Sequence, residues 1–182
     1  MSSHLDKKYE PSNLPYRIAV ICYLWSGEGT DDDKVLMLHR AKEPNIGRYS
    51  PIGGKLEISI GESPHECAVR EIEEESGVVL KPEEVRLLGV VSEKAYAGEN
   101  HWLLFMFEAT RSVDPSEVDR EDFDEGRLEW VGIKDVVNLN IPETDAKILW
   151  PIVQRRRRTG FFMVDIDCSG DELTWNIVDD RP

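Results

Sequence analysis

One short stretch of the chain concentrates residues that could do metal and acid–base chemistry. It contains Arg70 and three carboxylates, Glu71, Glu74 and Glu75. Because residues three and four apart are neighbours on a helix, the three carboxylates share one face, where they repel one another by roughly 0.2–0.5 kcal/mol per pair. A hard cation such as Mg²⁺ or Mn²⁺ reverses that effect, since it takes oxygen ligands. The spacing therefore indicates a divalent-metal site on one helix face.

Both ends of the helix that carries these residues are specified by the sequence. The four residues from Ser63 to Glu66 form a capping box with proline at the first helical position. Gly77 is the residue type that ends a helix in the left-handed conformation. Ala68 and Ile72 make the opposite face apolar. We therefore predict a helix whose apolar side is buried and whose acidic side faces a ligand.

Two glycines precede this helix at the end of a predicted strand. Gly53 and Gly54 lack side chains, so the backbone there can approach a ligand closely and its carbonyls can reach a cation. Glu62, just ahead of the helix cap, could join the same site. These residues extend the predicted site to the loop before the helix.

The run from Gly53 to Val78 resembles the signature of the Nudix hydrolases. From Glu62 onward it matches the pattern of Glu, seven residues, then Arg-Glu-apolar-x-Glu-Glu-x-Gly-apolar. Between Gly54 and Glu62 lie seven residues, two more than the signature has, and the extra pair falls in the loop at 58–60. A solvated acidic helix face is the ordinary interpretation of a charge run. It does not explain the glycines, the Arg-Glu pair and the terminal glycine together.

The resemblance implies an α/β fold, an α/β/α sandwich with a mixed sheet. It also implies hydrolysis of a nucleoside diphosphate linked to another group, with Mg²⁺ or Mn²⁺ as cofactor. The metal ligands that it implies are carboxylates and a backbone carbonyl: Glu71, Glu74, Glu75 and Gly53 or Gly54. The catalytic residues that it implies lie on the helix, with Arg70 orienting Glu71: Arg70, Glu71 and Glu74.

Members of the family often add a carboxylate from a later loop. Glu125 is the first candidate for this additional metal ligand, because it lies just before a short extended segment at 128–131. Its rivals are the neighbouring acidic residues: Glu121, Asp122 and Asp124. A plain solvated loop is the alternative for all of them.

Further similarity points to MutT-type hydrolases of oxidised purine nucleoside triphosphates. It covers most of residues 17–178, including the segment from Gly47 to Lys55 and the Leu149-Trp-Pro151 turn of a later helix. In those relatives an Asn and an acidic residue contact the base, and Ser50 and Asp145 stand at the matching positions. The substrate-binding residues expected on this basis are Arg48, Ser50, Lys55, Glu62 and Asp145.

Several alternatives remain open at this stage. The same chemistry could act on ADP-ribose or a dinucleoside polyphosphate, for which Tyr96 is a lone pointer that more often reflects ordinary packing. The chain could also be a nucleotide-binding module without activity, or an acidic interaction protein. The basic run at 155–158 could meet phosphates, but a solvated helix end is the favoured interpretation.

The remaining pattern predicts strands around two helices. Strands are expected at 17–24, 34–39, 49–52, 85–91, 102–109 and 128–131, with a second helix over 144–157 and a hairpin of strands at 161–166 and 173–178. Nothing marks a second domain, so we expect one domain over 15–182 behind a flexible tail at 1–14. Strands interspersed with isolated helices favour a sheet covered on both faces.

Composition excludes several classes of function. The 182 residues carry 22 Lys and Arg against 36 Asp and Glu, a net charge of −14. This charge argues against binding a nucleic-acid polymer or an anionic membrane. There is no apolar run of transmembrane length and no signal-peptide core. Three widely spaced cysteines favour a reducing compartment and hence the cytoplasm. The expected partner is a small nucleotide, with a monomer or homodimer left open.

Overall fold

The computed structural model describes residues 13–120 and 122–182. Its strands in chain order are β1 Tyr16–Tyr23, β2 Trp25–Ser26, β3 Lys34–Arg40, β4 Tyr49–Ser50, β5 Val85–Tyr96, β6 Asn100–Ala109, β7 Asp122–Phe123, β8 Gly126–Gly132, β9 Phe161–Asp167 and β10 Thr174–Arg181. Its α-helices are α1 Pro64–Ser76 and α2 Trp150–Arg156, and a π-helical turn at Asp145–Leu149 leads into α2. The predicted tail lies outside the described residues except for residues 13 and 14, and so does Glu121.

The larger sheet is mixed, as the fold class predicted. Its strand order is β1-β6-β5-β9-β10, with β1 parallel to β6 and β5 parallel to β9. The β5–β6 and β9–β10 pairs are antiparallel. A smaller antiparallel sheet has the order β2-β3-β8-β7. The short strand β4 pairs with Leu38 and His39 of β3, beyond the residues that pair with β2.

Helix α1 begins and ends where the sequence predicts. The Ser63 side chain accepts a hydrogen bond from the Glu66 N–H, and the Glu66 carboxylate accepts one from the Ser63 N–H. Gly77 has a φ of +78° and closes the last turn through its N–H to the Glu73 carbonyl. These caps satisfy orphan backbone groups at both helix ends, so the register of the acidic face is fixed locally.

The larger sheet is covered on both faces, as expected of the sandwich. On β1, Val20 and Cys22 pack in one buried cluster with Ile72 of α1. The alternate residues Ala19 and Tyr23 pack in a second cluster, which includes the residues of α2. Burying each large apolar side chain contributes about 1.5–3 kcal/mol, so the two clusters hold both helices against the sheet.

The central hairpin is longer than its sequence pattern predicts. Strand β5 continues past residue 91 to Tyr96, and β6 starts at Asn100 rather than 102. The extra residues are polar, but the pairing with β6 satisfies their backbone groups up to an irregularity between Glu93 and Tyr96. The extension carries Glu93 and Tyr96 towards the site described below.

The predicted helix over 144–157 is found in place, although its first part is a π-helical turn. The C-terminal hairpin is also confirmed as β9 and β10. In the part of the chain that the structure describes, none of the helices is long and apolar enough to cross a membrane. Cys22, Cys67 and Cys168 are free thiols.

Candidate active site

A cavity of about 380 Å³ lies beside β1, bordered by the loops after β3 and β4, by α1, by β5 and β6, and by the turn into α2. Two groups of acidic residues line it. We call the first the acidic cluster, which consists of Glu71, Glu75 and Glu125. We call the second the carboxyl pair, which consists of Glu93 and Asp145.

The two glycines allow the acidic cluster to sit against the backbone. Gly53 has a φ of +149°, and a Cβ there would collide with the Val20 carbonyl. A Cβ at Gly54 would collide with the carboxylate of Glu71. The Gly53 N–H donates a 2.9 Å hydrogen bond to the Glu75 carboxylate. Gly53 therefore allows the loop to lie against β1, and Gly54 leaves room for the Glu71 carboxylate. The approach of a ligand to this backbone, which the sequence indicated, stays a prediction.

Arg70 binds three carboxylates at the rim of the site. It makes two bonds of 2.7 and 3.0 Å to Glu62, and one bond each to Glu71 at 2.8 Å and Glu74 at 2.9 Å. The contact with Glu71 is the one that the resemblance implies for an orienting residue. The strength of these charge-assisted bonds makes Arg70 the centre of the polar network on α1.

Glu62 and Glu74 do not line the cavity. The Glu62 carboxylate is held by Arg70 and by the backbone N–H of Glu57. The Glu74 side chain is 58% exposed and bonds to Arg70. The two extra residues of the signature lie in a 3₁₀ turn, Ile58–Ile60, whose isoleucines are exposed. The insertion is therefore accommodated without displacing Glu62 from Arg70.

Burial and mutual repulsion dominate the electrostatics of the acidic cluster. Burial raises the pKa of Glu71, although Arg70 partly offsets it. The pKa of Glu75 is raised to about 7, mainly by burial and in part by the charges of Glu71 and Glu125, while the hydrogen bond from the Gly53 N–H acts in the opposite direction. By contrast, the hydrogen bonds from Arg70 lower the pKa of Glu62 to about 2.

The donor set of this end of the cavity suits a hard divalent cation. Glu71, Glu75 and Glu125 supply only oxygen, which Mg²⁺ prefers, and a cation would relieve their repulsion. Among residues 13–120 and 122–182, no group of three or more His, Cys, Asp or Glu is arranged as a preformed metal cluster. The metal-ligand set, including Glu74 and the carbonyl of Gly53 or Gly54, therefore stays a prediction.

Glu125 is the later-loop acid that reaches the cavity. It lines the wall and lies beside Arg40, whose guanidinium is 3.4 Å from its carboxylate. Asp124 is almost fully exposed and pairs with Lys42, and Asp122 is exposed as well. Sequence reasoning missed Arg40, because an arginine at a strand end carries no signal until the loop before β8 is brought beside it.

The predicted substrate residues divide into two sets. Ser50, Lys55 and Asp145 line the cavity, and the buried Ser50 hydroxyl has no hydrogen-bond partner among residues 13–120 and 122–182. Such an orphan hydroxyl is costly unless a ligand or water satisfies it. Arg48 does not line the wall, but its charge acts on Asp145. Glu62, as described above, belongs to the Arg70 network.

Sequence reasoning missed or undervalued three other residues of the cavity wall: Glu93, Tyr96 and Trp102. Tyr96 is more than packing, since its hydroxyl donates a 2.8 Å hydrogen bond to Asn45, another wall residue. The amine of Lys55 lies 6.0 Å from the centroid of the Trp102 ring. Regular alternation would place Glu93 and Tyr96, three residues apart, on opposite faces of β5. The irregularity between them, where Ala95 has a positive φ, lets both line the cavity, and no sequence pattern indicated it.

The prediction of a solvated helix end for the basic run is wrong. Arg155 and Arg156 both pair with Asp180 of β10. Arg157 and Arg158 pair with Asp33, whose side chain is fully buried. The run therefore joins α2 to two other segments, and none of its residues lines the cavity.

Comparison with known proteins places this geometry in a family. The family model of the NUDIX domain matches residues 15–152. The chain belongs to the Nudix hydrolase family. As a Nudix hydrolase it acts on phosphoric anhydride bonds, and the family generally uses a divalent metal.

Relatives and solved structures of this Nudix hydrolase agree with the assignment. It is 33% identical to the Nudix hydrolase YvcI of Bacillus subtilis over 122 residues, which are 65% of this chain and 70% of the relative. It is 28% identical to an RNA pyrophosphohydrolase of Cereibacter sphaeroides over 153 residues, 76% of this chain and 89% of that protein. A MutT protein from Bacillus halodurans aligns with a TM-score of 0.65 at 26% identity, covering 89% of this chain and 97% of that one.

Proposed function

We propose that this Nudix hydrolase is a Mg²⁺-dependent pyrophosphohydrolase that cleaves nucleoside triphosphates, including oxidised purine ones, to a monophosphate and pyrophosphate. One observation carries the proposal. A single cavity joins the acidic face of α1 to polar and aromatic residues suited to a nucleoside. We take residues 15–182 to be one cytoplasmic domain, a monomer or homodimer, consistent with its three free thiols.

The acidic cluster would hold the metal. Glu71 and Glu75 face the cavity from α1, and Glu125 faces it from the loop before β8. Glu74, one turn after Arg70, and the carbonyl of Gly53 or Gly54 complete the set. When bound, a divalent cation lowers the pKa of a coordinated water and neutralises charge on the phosphates.

The residues of the chain then have distinct tasks. Arg70 holds Glu71 in one orientation through its 2.8 Å bond. A carboxylate in that position can accept a proton from the attacking water. Arg40 and Lys55 bring positive charge to the same cavity, where it would offset the charge of the leaving pyrophosphate.

The other walls suit a base and sugar. Trp102 and Leu104 of β6 and Leu149 ahead of α2 supply an apolar surface. Ser50 and Asp145 add polar atoms, and the unpartnered hydroxyl of Ser50 is satisfied by a ligand in this proposal. Cavities of this size with a few polar groups are typical of small-molecule sites.

A substrate panel with matched variants tests the proposal. Phosphate and pyrophosphate release would be measured with Mg²⁺ from ordinary and 8-oxo nucleoside triphosphates, ADP-ribose, a dinucleoside tetraphosphate and a 5′-triphosphate RNA. Glu71→Gln should abolish most turnover of the nucleoside triphosphates. Glu73→Gln is the control, because Glu73 lies on the same helix but is exposed and outside the cavity.

The panel also separates the alternatives. Hydrolysis of ADP-ribose or the dinucleoside alone would keep the chemistry but replace the substrate. Preference for the RNA would contradict the expectation that the chain avoids nucleic-acid polymers. Turnover by Glu71→Gln equal to that of Glu73→Gln would exclude Glu71 from the reaction.

A further inference from the structure

The larger sheet ends on one side at the strand β10. Among the strands that the structure describes, β10 pairs with β9 alone. An edge strand presents a row of backbone N–H and C=O groups on which another strand can pair. At the C-terminal part of β10, Arg156 binds both the carboxylate and the backbone carbonyl of Asp180. The five residues at 174–178 are all exposed, and we call this segment the open edge.

The open edge has an apolar surface. Natural edge strands are commonly blunted by Lys or Pro, and Thr174–Arg181 contains neither. It exposes three large apolar side chains, with exposed fractions of 49% for Trp175, 41% for Ile177 and 50% for Val178. The irregularity in the pairing with β9 lies at the C-terminal end of the open edge, between Ile177 and Asp179. Exposed apolar residues on a sheet edge mark a surface suited to strand pairing.

Two of these side chains continue a buried face of the sheet. In the antiparallel ladder, Trp175 is opposite Ile166 and Ile177 is opposite Val164. Ile166 and Val164 belong to the buried cluster that includes the residues of α2. Because opposite residues point to the same face, Trp175 and Ile177 extend this apolar face to the edge of the sheet. A further strand with apolar residues two positions apart would cover them.

The open edge itself is such a strand, and it is complementary to itself in antiparallel pairing. With a two-fold axis at Asn176, Trp175 stands opposite Ile177 of a second copy. Thr174 then stands opposite Val178 of that copy. Each apolar side chain therefore meets an uncharged one, and pairs of this kind stabilise a sheet by roughly 0.2–1 kcal/mol each.

The charges around the open edge permit this pairing, although each chain has a net charge of −14. Asp179 is paired with Arg181 at 2.9 Å, and Asp180 is paired with two arginines. In the same register, Arg181 stands opposite Asp171 of the second copy, so that opposite charges face each other. An axis one residue closer to the C-terminus would instead place Trp175 opposite Asp179.

We propose that the open edge is a self-association surface, on which the same segment of a second copy pairs antiparallel about Asn176 and joins the two larger sheets into one. Such an interface is isologous, since each copy offers the same surface. β10 contributes no residue to the cavity, so this dimer goes beyond the proposed function and does not depend on it. Five residues form a small interface, below roughly 1,200 Å², for which weak and reversible association is expected.

Sedimentation equilibrium of the whole chain tests the proposal. We expect the average mass to rise with concentration from one chain to two, with a dissociation constant on the order of 10 µM. Trp175→Lys and Ile177→Glu should each raise this constant at least about tenfold, because a charge then faces an apolar side chain. Val137→Lys is the matched control and should keep the wild-type association, since Val137 is 63% exposed on the turn after β8.

A mixture of Trp175→Lys and Ile177→Glu tests both the register and the identity of the partner. In a mixed dimer the introduced lysine faces the introduced glutamate, and the native Trp175 of one chain faces the native Ile177 of the other. We therefore expect the mixture to dimerise at least about tenfold more tightly than either variant alone. Thermal unfolding of each variant would verify that it is folded.

Three results would overturn the proposal. A mass of one chain at every concentration would leave the open edge to a strand of a different protein. Dimerisation that is unaffected by Trp175→Lys and Ile177→Glu would place the contact elsewhere on the molecule. A mixture that associates as weakly as its two components would exclude pairing about Asn176.

Discussion

Buried carboxyl groups occur in two regions of this Nudix hydrolase, and their partners differ. In the region next to the end of α2, each buried carboxylate has an arginine. Asp33 is bound by Arg157 at 2.7 Å, and Glu108 is paired with Arg86. Burial alone would raise the pKa of Asp33, but the hydrogen bonds from Arg157 and from the Thr30 and Gly29 N–H groups lower it.

In the cavity, burial outweighs the groups that stabilise the charged carboxylates. Burial raises the pKa of Glu75 to about 7, of Glu93 to about 8 and of Asp145 to about 7. Acidic neighbours contribute to the raised pKa of Glu75 and of Glu93. The opposing charge of Arg40 or Arg48 does not reverse the shift of Glu75 or Asp145.

The difference separates structural from functional acids. A buried carboxylate with a complete set of donors contributes to the fold, while one that is undercompensated and faces a cavity is suited to a ligand. Charge runs in the sequence do not show this distinction. It depends on which acids meet arginines in three dimensions.

The largest effect should come from Glu75→Gln. We expect turnover to fall by about 10²–10⁴-fold, because the change removes a proposed metal ligand and its charge. Stability without metal should be kept or increased, since a buried and poorly compensated acid is removed. Steady-state assays and urea unfolding in EDTA measure the two effects. Mg²⁺ should raise the melting temperature of the wild type but not of this variant; an equal rise in both would remove Glu75 from the metal site.

Asp33→Asn should lower stability and leave activity unchanged, the opposite of what we expect for Glu75→Gln. Removing one partner of a buried pair typically costs about 3–5 kcal/mol, because Arg157 is left without its carboxylate. Activity per folded molecule should be unchanged, as Asp33 does not line the cavity. Urea unfolding would be compared with assays on the folded fraction. A loss of turnover as large as that of Glu75→Gln would abolish the contrast between the two regions.

Glu93 should make stability depend on pH. Its pKa is raised to about 8 in the fold, so the folded state holds its proton more tightly than the unfolded state does. Stability is then present at low pH and lost as the pH rises towards 8, by at most about 1.4 kcal/mol per pH unit. Glu93→Gln should weaken this slope. The free energy of unfolding of the wild type and of Glu93→Gln would be measured at pH 6 and pH 9. The same change with pH in both proteins would contradict the raised pKa of Glu93.

The smallest effect should come from Asp180→Asn. Asp180 pairs with Arg155 and Arg156, but all three side chains are partly exposed. Such pairs contribute about 0.2–1 kcal/mol and are screened by salt. The free energy of unfolding of the wild type and the variant would be measured with and without 0.5 M NaCl, which shortens the screening length to roughly half of its physiological value. The small difference in stability between the two proteins should disappear in the added salt. A cost similar to that of Asp33→Asn would show that exposure does not distinguish the two acids.

Much of the site could be predicted because its signals are local. The capping box at Ser63 and the glycine at 77 fix the ends of α1, and a 3.6-residue period then fixes which acids share a face. Glu71 and Glu75 could therefore be placed on one face from spacing alone. The cavity in turn contains Gly53 and Gly54, the residues that the same signature singles out.

The features that could not be predicted depend on pairing between segments that are distant in the chain. The polar end of β5 was predicted as a loop, since nothing local shows that β6 will pair with it as far as Tyr96. Glu93 was missed for that reason. The basic run was misinterpreted because Asp33 and Asp180 are more than 20 residues away along the chain.

The sequence by itself therefore determined the family, the acidic helix and the glycines that approach it, since helix caps and periodicity act over a few residues. Only the tertiary structure decided which other acids join them. Strand register and chain crossings brought Glu125, Glu93 and Asp145 into one cavity and gave Asp33 its arginines. Burial and charge compensation, which set the role of each acid, exist only after those segments have met.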